Sequence, residues 1–474
     1  MVPGPPQSSA RRLPAGSVLC LALAFALLRF VRLGEWSLWI DEALTWADAH
    51  HGLDTSDLFN PLGYRIVTGV AALCGTPPDE FALRLVPALA GIACVPLCAW
   101  AFAPLLGRRR ASWAALFLAV SAWHIFWSQT ARFYTLSQLT ALIGAGFALR
   151  GLLRGGRVRV YGGFLLCAAA ATFHPSAALL VPGLAFGAWF ADASNDALRK
   201  RAREACLVLV VVGLACSPWA LRPLLHHLGQ KPSPGALSGP LHFVLTSGYF
   251  FTPFLAAAAL WAAFQAWKRE DSGGRLLTVL LAVGIGLAAL ISVEAQITAQ
   301  YVFVLLPFAC ALAANLLSPD ERGDAPIPRT DGALIAALVL GSLANCALYL
   351  TSRAGERPRW REAYHYVDAA REPGDLIAGM ASPIGEFYLA AAATDLRRPR
   401  VVEPLGRFYV DGPRQWRRDG RRSWLVVRPQ WFDDMAPDDA DLLREFLRDE
   451  CRLMRRFEAP MDGRDLEVLV YRED

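Results

Sequence analysis

Over roughly the first three quarters of the chain, apolar residues run in stretches long enough to cross a bilayer, separated by short polar breaks. A spanning helix needs about 20 mostly apolar residues. Eleven segments are read as spans: 15–33, 82–105, 111–128, 134–150, 160–173, 174–191, 204–220, 247–267, 276–293, 301–317 and 332–350. The fifth and sixth are short and abut at His174-Pro175. Arg29 and Arg32 stand where a small-residue cleavage site would be, so the first run is read as a retained span rather than a cleaved signal. The stretch "NPLGYRIVTGVAALCG" is too short to span and predicts a helix lying along the interface, with Tyr64 and Arg65 at headgroup level.

After residue 351 the pattern changes. "PGDLIAGM" predicts a turn and then a strand, and "RRSWLVVRP" and "DLEVLVYR" predict strands. "PDDADLLREFLRDE" predicts a capped amphipathic helix, with acids first and Arg444 and Arg448 later. The expected architecture is an α-helical polytopic membrane domain at 1–351, with a long first outer loop at 34–81, followed by a soluble extracytoplasmic α/β domain at 352–474.

Charge sharpens this division. Residues 352–474 hold 22 Arg and 24 Asp or Glu, whereas the first 351 residues hold 43 of the 89 charged residues. One charge in eight is too few to cover a water-exposed surface, and the whole chain at 19% charged lies below the roughly 25% of soluble proteins. With the N-terminus inside, the inside segments carry 18 Lys or Arg and the outside loops before the tail carry only Arg65, Arg84, Arg132, Arg222 and Lys231. That asymmetry follows the positive-inside rule and places the C-terminal domain outside. The net charge of +5 therefore has a topological cause and implies no nucleic-acid partner. Most of the ten cysteines lie in apolar runs as small packing residues, with no CxxC pair, so neither a zinc site nor a disulfide framework is expected.

The polar residues with chemical potential gather at the expected outer ends of the spans. In "SLWIDEALTW", Asp41 and Glu42 follow the first span among Trp36, Trp39 and Trp46. A carboxylate there suits a general base at the membrane surface; the competing reading is that Asp41 caps the interfacial helix starting at Glu42. In "AWHIFWSQTARFYTLSQL", Arg132 beside Tyr134 suits paired donation to a phosphate, or else anchors an aromatic belt, and His124 reads as a satisfied polar residue. His174 stands at a junction of two spans, where an ionisable residue is a functional candidate or a helix-end hydrogen-bonding group. His226, His227 and Lys231 lie on a second long outer loop, which suits an anionic headgroup or simple solvation. Gln300 and Tyr301 end the tenth span, as site residues or as an ordinary interfacial pair. Five such clusters from five parts of the chain imply a shared outer cavity.

The ordered set of motifs resembles a known family. "LRFVRLGEWSLWIDEALTWADAH", "FALRLVPALAG", "HIFWSQTARFYTL", "QYVFVLLP" and "RPRWREAYHYVDAAREPGDLI" resemble, in order, segments of the dolichyl-phosphate-mannose-protein mannosyltransferase and aminoarabinose transferase group. This is a branch of the C-type glycosyltransferase superfamily, comprising glycosyltransferase family 39 and its bacterial relatives. The resemblance covers nearly the whole chain. It implies a sugar donor on a polyprenyl phosphate, a hexosyl or pentosyl transfer that inverts the anomeric centre, and Asp41 as the first-loop catalytic acid residue with Glu42 secondary. The acceptor is then expected in the envelope (lipid, glycan or protein) of a bacterial inner membrane, and the placement of Arg132, Tyr134, His174, Lys231 and Tyr301 in the sequence offers them as the donor and phosphate contacts. No cofactor is required; a divalent cation is compatible with the chemistry. Two positions depart from the family pattern. Thr130 replaces an acid, which leaves a shared metal site short of a ligand, and Gln300 replaces an Arg, which shifts the phosphate to another cation, Lys231 or Arg132.

Two other function classes compete with an enzyme. A lipid-linked sugar transporter or flippase favours internal repeats and interrupted midplane helices, whereas here the polar residues collect at the outer face. A cell-wall scaffold leaves the Asp41–Arg132 set without a purpose.

Overall fold

The computed structural model describes residues 14–50, 61–75, 79–192, 195–229, 239–295, 297–318, 328–390, 401–405, 413–414, 417, 419–435, 437–461 and 464–473. The helical body begins with α1 (Ala15–Ala26), α2 (Ile40–His50), α3 (Pro61–Cys74), α4 (Glu80–Leu106), α5 (Arg108–Ala119) and α6 (Ala122–Ser128). It continues with α7 (Tyr134–Arg154), α8 (Arg157–Ala169), α9 (Leu180–Ala191), α10 (Asp196–Gly229), α11 (Pro240–Phe251) and α12 (Pro253–Lys268), and ends with α13 (Ser272–Glu294), α14 (Leu306–Ala314) and α15 (Arg329–Leu350). Helix lies over each of the eleven apolar segments. Among the described residues, α4, α7, α13 and α15 are each long and apolar enough to cross a membrane alone, and the count is six if the bent pairs α5–α6 and α11–α12 are each one span. Leu207, Val210 and Val211 on α10, Leu260 and Trp261 on α12 and Leu290 on α13 are exposed. So large an apolar surface does not suit water; the chain is a multi-pass membrane protein.

The bends have local causes that apolarity does not announce. The segment 247–267, expected as one span, breaks by 104° at Thr252, between α11 and α12. Pro253 disfavours a helical conformation at the preceding residue, and Thr252 takes φ 72° and caps α12 by accepting from the Leu255 amide. The segment 111–128 bends by 64°, and Ser121 caps the second half through the His124 amide. α3 is the short helix expected near the interface, packed beside α2 and α4.

The C-terminal part contains α16 (Trp360–Ala370), β1 (Leu376–Gly379), α17 (Ser382–Ala390), β2 (Glu403–Pro404), β3 (Ser423–Val427), α18 (Pro437–Asp449), β4 (Cys451–Phe457), β5 (Pro460–Met461), β6 (Arg464–Asp465) and β7 (Val468–Glu473). β2, β1 and β3 are parallel, and β7 and β4 continue the sheet antiparallel, in the order β2-β1-β3-β7-β4. β1, β3, β7 and α18 lie where the sequence pattern puts them. β4 escapes the pattern because most of "CRLMRRF" stays accessible to solvent and the strand carries no clean alternation.

The packing boundary differs from the compositional one at residue 351. Leu38, Ala43 and Trp46 from the first loop share one apolar core with Trp360, Tyr364, Ile384 and Phe387 from the C-terminal part. Polar contacts reinforce it: Arg361 pairs with Glu80 and donates to the Trp36 carbonyl, and the Tyr388 hydroxyl accepts from the Leu38 amide at 2.7 Å. The sheet-bearing part is thereby pinned onto the first loop rather than tethered below α15.

Candidate functional site

Asp41 and Glu42 are adjacent, yet helix geometry sends them to different fates. α2 begins at Ile40, and Glu42 reaches back to accept from the Trp39 amide at 2.8 Å. That is the acidic half of a capping box. Glu42 therefore supplies the cap, which leaves the competing capping role for Asp41 without its hydrogen bond. The Glu42 carboxylate is fully buried. Arg84 grips it through Nε to Oε1 at 2.8 Å and Nη2 to Oε2 at 2.9 Å, the Ala131 amide donates at 2.8 Å, and Arg357 approaches to 3.4 Å. Burial alone would raise its pKa, but the two guanidiniums outweigh burial and hold the carboxyl down at about 2. A group so enclosed can neither meet a substrate nor take its proton. This corrects the secondary catalytic place expected for Glu42: it is the keystone that ties α2, α4, the α6–α7 turn and the C-terminal part together.

Asp41 points the other way. It is half-buried and lines a cavity of about 410 Å³ with Trp39, Trp123, Phe126, Trp127, Phe250 and Gln300. Hydrogen bonds reach Asp41 at its backbone carbonyl, from Thr45 and Arg132, and among the described residues no partner is bonded to its carboxylate. Asp41 and Glu356 are the two carboxylates on this cavity wall among the described residues.

Arg132 lies directly behind Asp41. One guanidinium nitrogen donates to the Asp41 carbonyl at 3.1 Å, to Thr45 Oγ1 at 3.0 Å and to the Tyr64 hydroxyl at 3.4 Å. The cation rests over the rings of Phe133 and Tyr64, at 4.7 and 5.5 Å. Burial opposes its charge, but the Asp41 carboxylate and the nearby phenols outweigh that and raise its pKa. Gly63 allows this arrangement, because a Cβ there would collide with the Phe133 ring. A row of rings then connects the candidates: Trp39 to Trp127 at 6.4 Å, Trp127 to Tyr134 at 4.1 Å, Tyr134 to His174 at 4.4 Å and His174 to Tyr301 at 5.2 Å. The structure thus gathers Asp41, Arg132, Tyr134, His174 and Tyr301 at one end of the helical body. His174 also bonds Ser176 Oγ at 2.7 Å and caps the turn that follows. Lys231 and the side chains of His226 and His227 lie outside the described residues. His124 is buried between Arg29 and Gln138, at 2.8 and 2.7 Å, as the satisfied polar residue expected.

Thr130, in the position where the resemblance places an acid, accepts from Arg357 at 2.7 Å and donates to the Phe126 carbonyl at 2.7 Å. Among the described residues no group of three His, Cys, Asp or Glu side chains converges as a metal site requires.

Four residues with a place at the site carried no assigned role in the sequence reading: Arg84, Arg357, His242 and Glu356. Arg84 did leave a signal, since a cation in an otherwise apolar run demands a buried partner. Glu356 lies on the cavity wall with Asp41, on the chain that leaves α15. Its φ is 55°, after 45° at Ala354 and 66° at Gly355. Left-handed non-glycine residues each cost of order 1–3 kcal/mol and persist where surroundings over-determine them. Here Trp36 closes over Gly355, leaving no room for a Cβ.

No family model matches the sequence, and no curated protein is significantly similar to it. Solved structures are similar in fold. The chain superimposes on ArnT from Cupriavidus metallidurans in the apo state with a TM-score of 0.59 and 16% identity, over 97% of this chain and 98% of that one. The same enzyme bound to undecaprenyl phosphate gives a TM-score of 0.57. The Archaeoglobus fulgidus oligosaccharyltransferase in its apo form gives 0.56 at 13% identity, over 91% of this chain and 72% of that one. The chain shares its fold with these two proteins.

Proposed function

We propose that this protein is a membrane glycosyltransferase that moves a sugar from a polyprenyl phosphate to an envelope acceptor at the outer face of the membrane, with Asp41 as general base. The observation that carries this reading is the split between the two acids: Asp41 faces the aromatic cavity while Glu42 is sealed in ion pairs. The fold likeness supports it, since one neighbour is ArnT bound to undecaprenyl phosphate. In the reaction, an acceptor hydroxyl gives its proton to the Asp41 carboxylate as its oxygen attacks the anomeric carbon. The bond from that carbon to the phosphate oxygen breaks on the opposite side, so the centre inverts. Polyprenyl phosphate leaves with the electron pair. We assign the growing phosphate charge to Arg132, the cation bonded to the Asp41 carbonyl, because preorganised donors of this kind act where charge develops. The test is release of polyprenyl phosphate by purified protein in liposomes supplied with polyprenyl-phosphate sugars and envelope extract. Wild-type protein that released none would sink the reading.

Two further expectations follow from the orientation and from the phosphate. A reporter active only when exported, fused after Asp474, should be active, given the 18-to-5 cation asymmetry; cytoplasmic activity there would reverse the topology. Arg132→Lys keeps a charge but loses the planar fork, so donor affinity should fall about tenfold or more, since charged hydrogen bonds contribute roughly 1.5–3 kcal/mol each. Unchanged donor affinity in Arg132→Ala would move the phosphate elsewhere, with Lys231 the next cation to test.

A further inference from the structure

A second cavity of about 280 Å³ adjoins the first and shares three wall residues with it: Trp39, Phe126 and Glu356. Its other walls come from the C-terminal part, with Arg428 and Gln430 just beyond β3. Arg428 donates to Gln430 Oε1 at 2.6 Å and lies over the Trp431 ring at 5.5 Å, so the pair is held as a unit. We infer that the second cavity is the acceptor site, and that it takes a sugar of a glycan, held between Glu356 and the Arg428–Gln430 pair. This rests on the glycosyl-transfer reading above.

The wall chemistry selects the class of ligand. A sugar presents an apolar C–H face and a rim of hydroxyls that both donate and accept. Trp39 and Phe126 give apolar wall for the first. Glu356 accepts from hydroxyls, the Arg428 guanidinium donates to their oxygens, and the Gln430 amide does both. An apolar alcohol would cover the same groups without bonding them, which is costly. A site built on hydroxyl recognition rejects analogues that lack the hydroxyl far better than an apolar pocket rejects a longer chain.

Position does the rest. Glu356 is common to both cavities, so a sugar bound to it lies beside the space that Asp41 faces. Its carboxylate is held there by three consecutive left-handed residues and by Arg353 at 3.7 Å. The wall contributed by Arg428 and Gln430 gives the sheet-bearing part a direct role in choosing the acceptor. The balance of the reaction is unchanged: the sugar hydroxyl loses its proton to Asp41 and gains the transferred glycosyl group.

The experiment uses the full chain in liposomes, labelled polyprenyl-phosphate sugar and a graded amount of envelope extract, with the labelled product identified by mass spectrometry after protease treatment. Label on a protease-resistant glycan is expected, from lipid-linked or polymeric material alike; mild delipidation before the assay separates those two sources. Glu356→Gln and Arg428→Gln should each raise the extract concentration needed for half-maximal transfer about tenfold or more, and Arg428→Gln, which touches only the second cavity, should leave the rate at saturation and donor affinity near wild type. Melting temperature and elution profile check that both variants fold, and Gln430→Ala gives a third, milder probe. Label on a peptide, or unchanged acceptor dependence in the folded variants, overturns the acceptor site while leaving glycosyl transfer standing. Absence of transfer by wild-type protein overturns both.

Discussion

Asp41→Asn should give a folded protein that binds donor and transfers sugar at least ~100-fold more slowly, the low end for loss of a general base. Asn is nearly the same size, so the cavity wall keeps its shape. The start of α2 should be untouched, because Glu42 rather than Asp41 bonds the Trp39 amide. Arg132 should also stay in place, since its hydrogen bond here goes to the Asp41 backbone carbonyl. The measurement is polyprenyl phosphate release at saturating acceptor, beside the melting temperature in the same detergent. Near-wild-type transfer would remove Asp41 from the chemistry. With Glu42 sealed away, the only other carboxylate on that cavity wall among the described residues is Glu356.

Glu42→Gln should show the reverse profile, with stability lost first and activity lost as a result. It leaves two buried guanidiniums, Arg84 and Arg357, facing a neutral amide. Breaking a buried pair by changing one partner costs about 3–5 kcal/mol, so the thermal midpoint should fall well below that of Asp41→Asn. The pH dependence has a definite sign. The Glu42 pKa lies at about 2 in the folded protein against an ordinary value of 4.5. Its contribution is therefore complete above about pH 4.5 and is lost as the pH falls through about 2. The wild-type midpoint should start to fall below pH 4.5 for this reason, and the slope there should shrink in Glu42→Gln. Equal midpoints for the two variants at pH 7 would contradict the keystone role.

These two substitutions mark where sequence reading stops. Long apolar runs predicted helix along every segment they covered, because burial in lipid needs little beyond length and apolarity. β1, β3, β7 and α18 were legible for a similar reason, since their periodicity is local. Arg132, Tyr134, His174 and Tyr301 lie near one another, but none of the four lines the cavity that Asp41 faces, so the shared cavity expected from their placement at span ends takes in only Asp41 and Gln300 of the candidates. The difference between Asp41 and Glu42 was not legible. Two adjacent acids on a helix differ by about 100° in direction, and which of them meets cations depends on Arg84 and Arg357, distant in the chain. The left-handed turn that holds Glu356 was equally hidden, because it depends on Trp36 packing over Gly355 rather than on any turn signature. The break at Thr252 shows the converse, a bend that the Thr-Pro pair announces but that the surrounding apolarity masks.

The keystone also fixes an order of events in time. Glu42 and Arg84 are 42 residues apart and can meet early in synthesis. Arg357 follows Glu42 by about 315 residues. At roughly 5–20 residues per second, the ribosome needs about 15–60 s to supply it. Through that interval the first loop has one of its two cations, and the apolar faces of Leu38 and Trp46 wait for Trp360 and Phe387. A half-made chain therefore has an incomplete first-loop core, not a slow version of the finished site. A premature stop between Arg84 and Arg357 removes one of the two cations that hold Glu42, even though every residue of the first loop has already been translated.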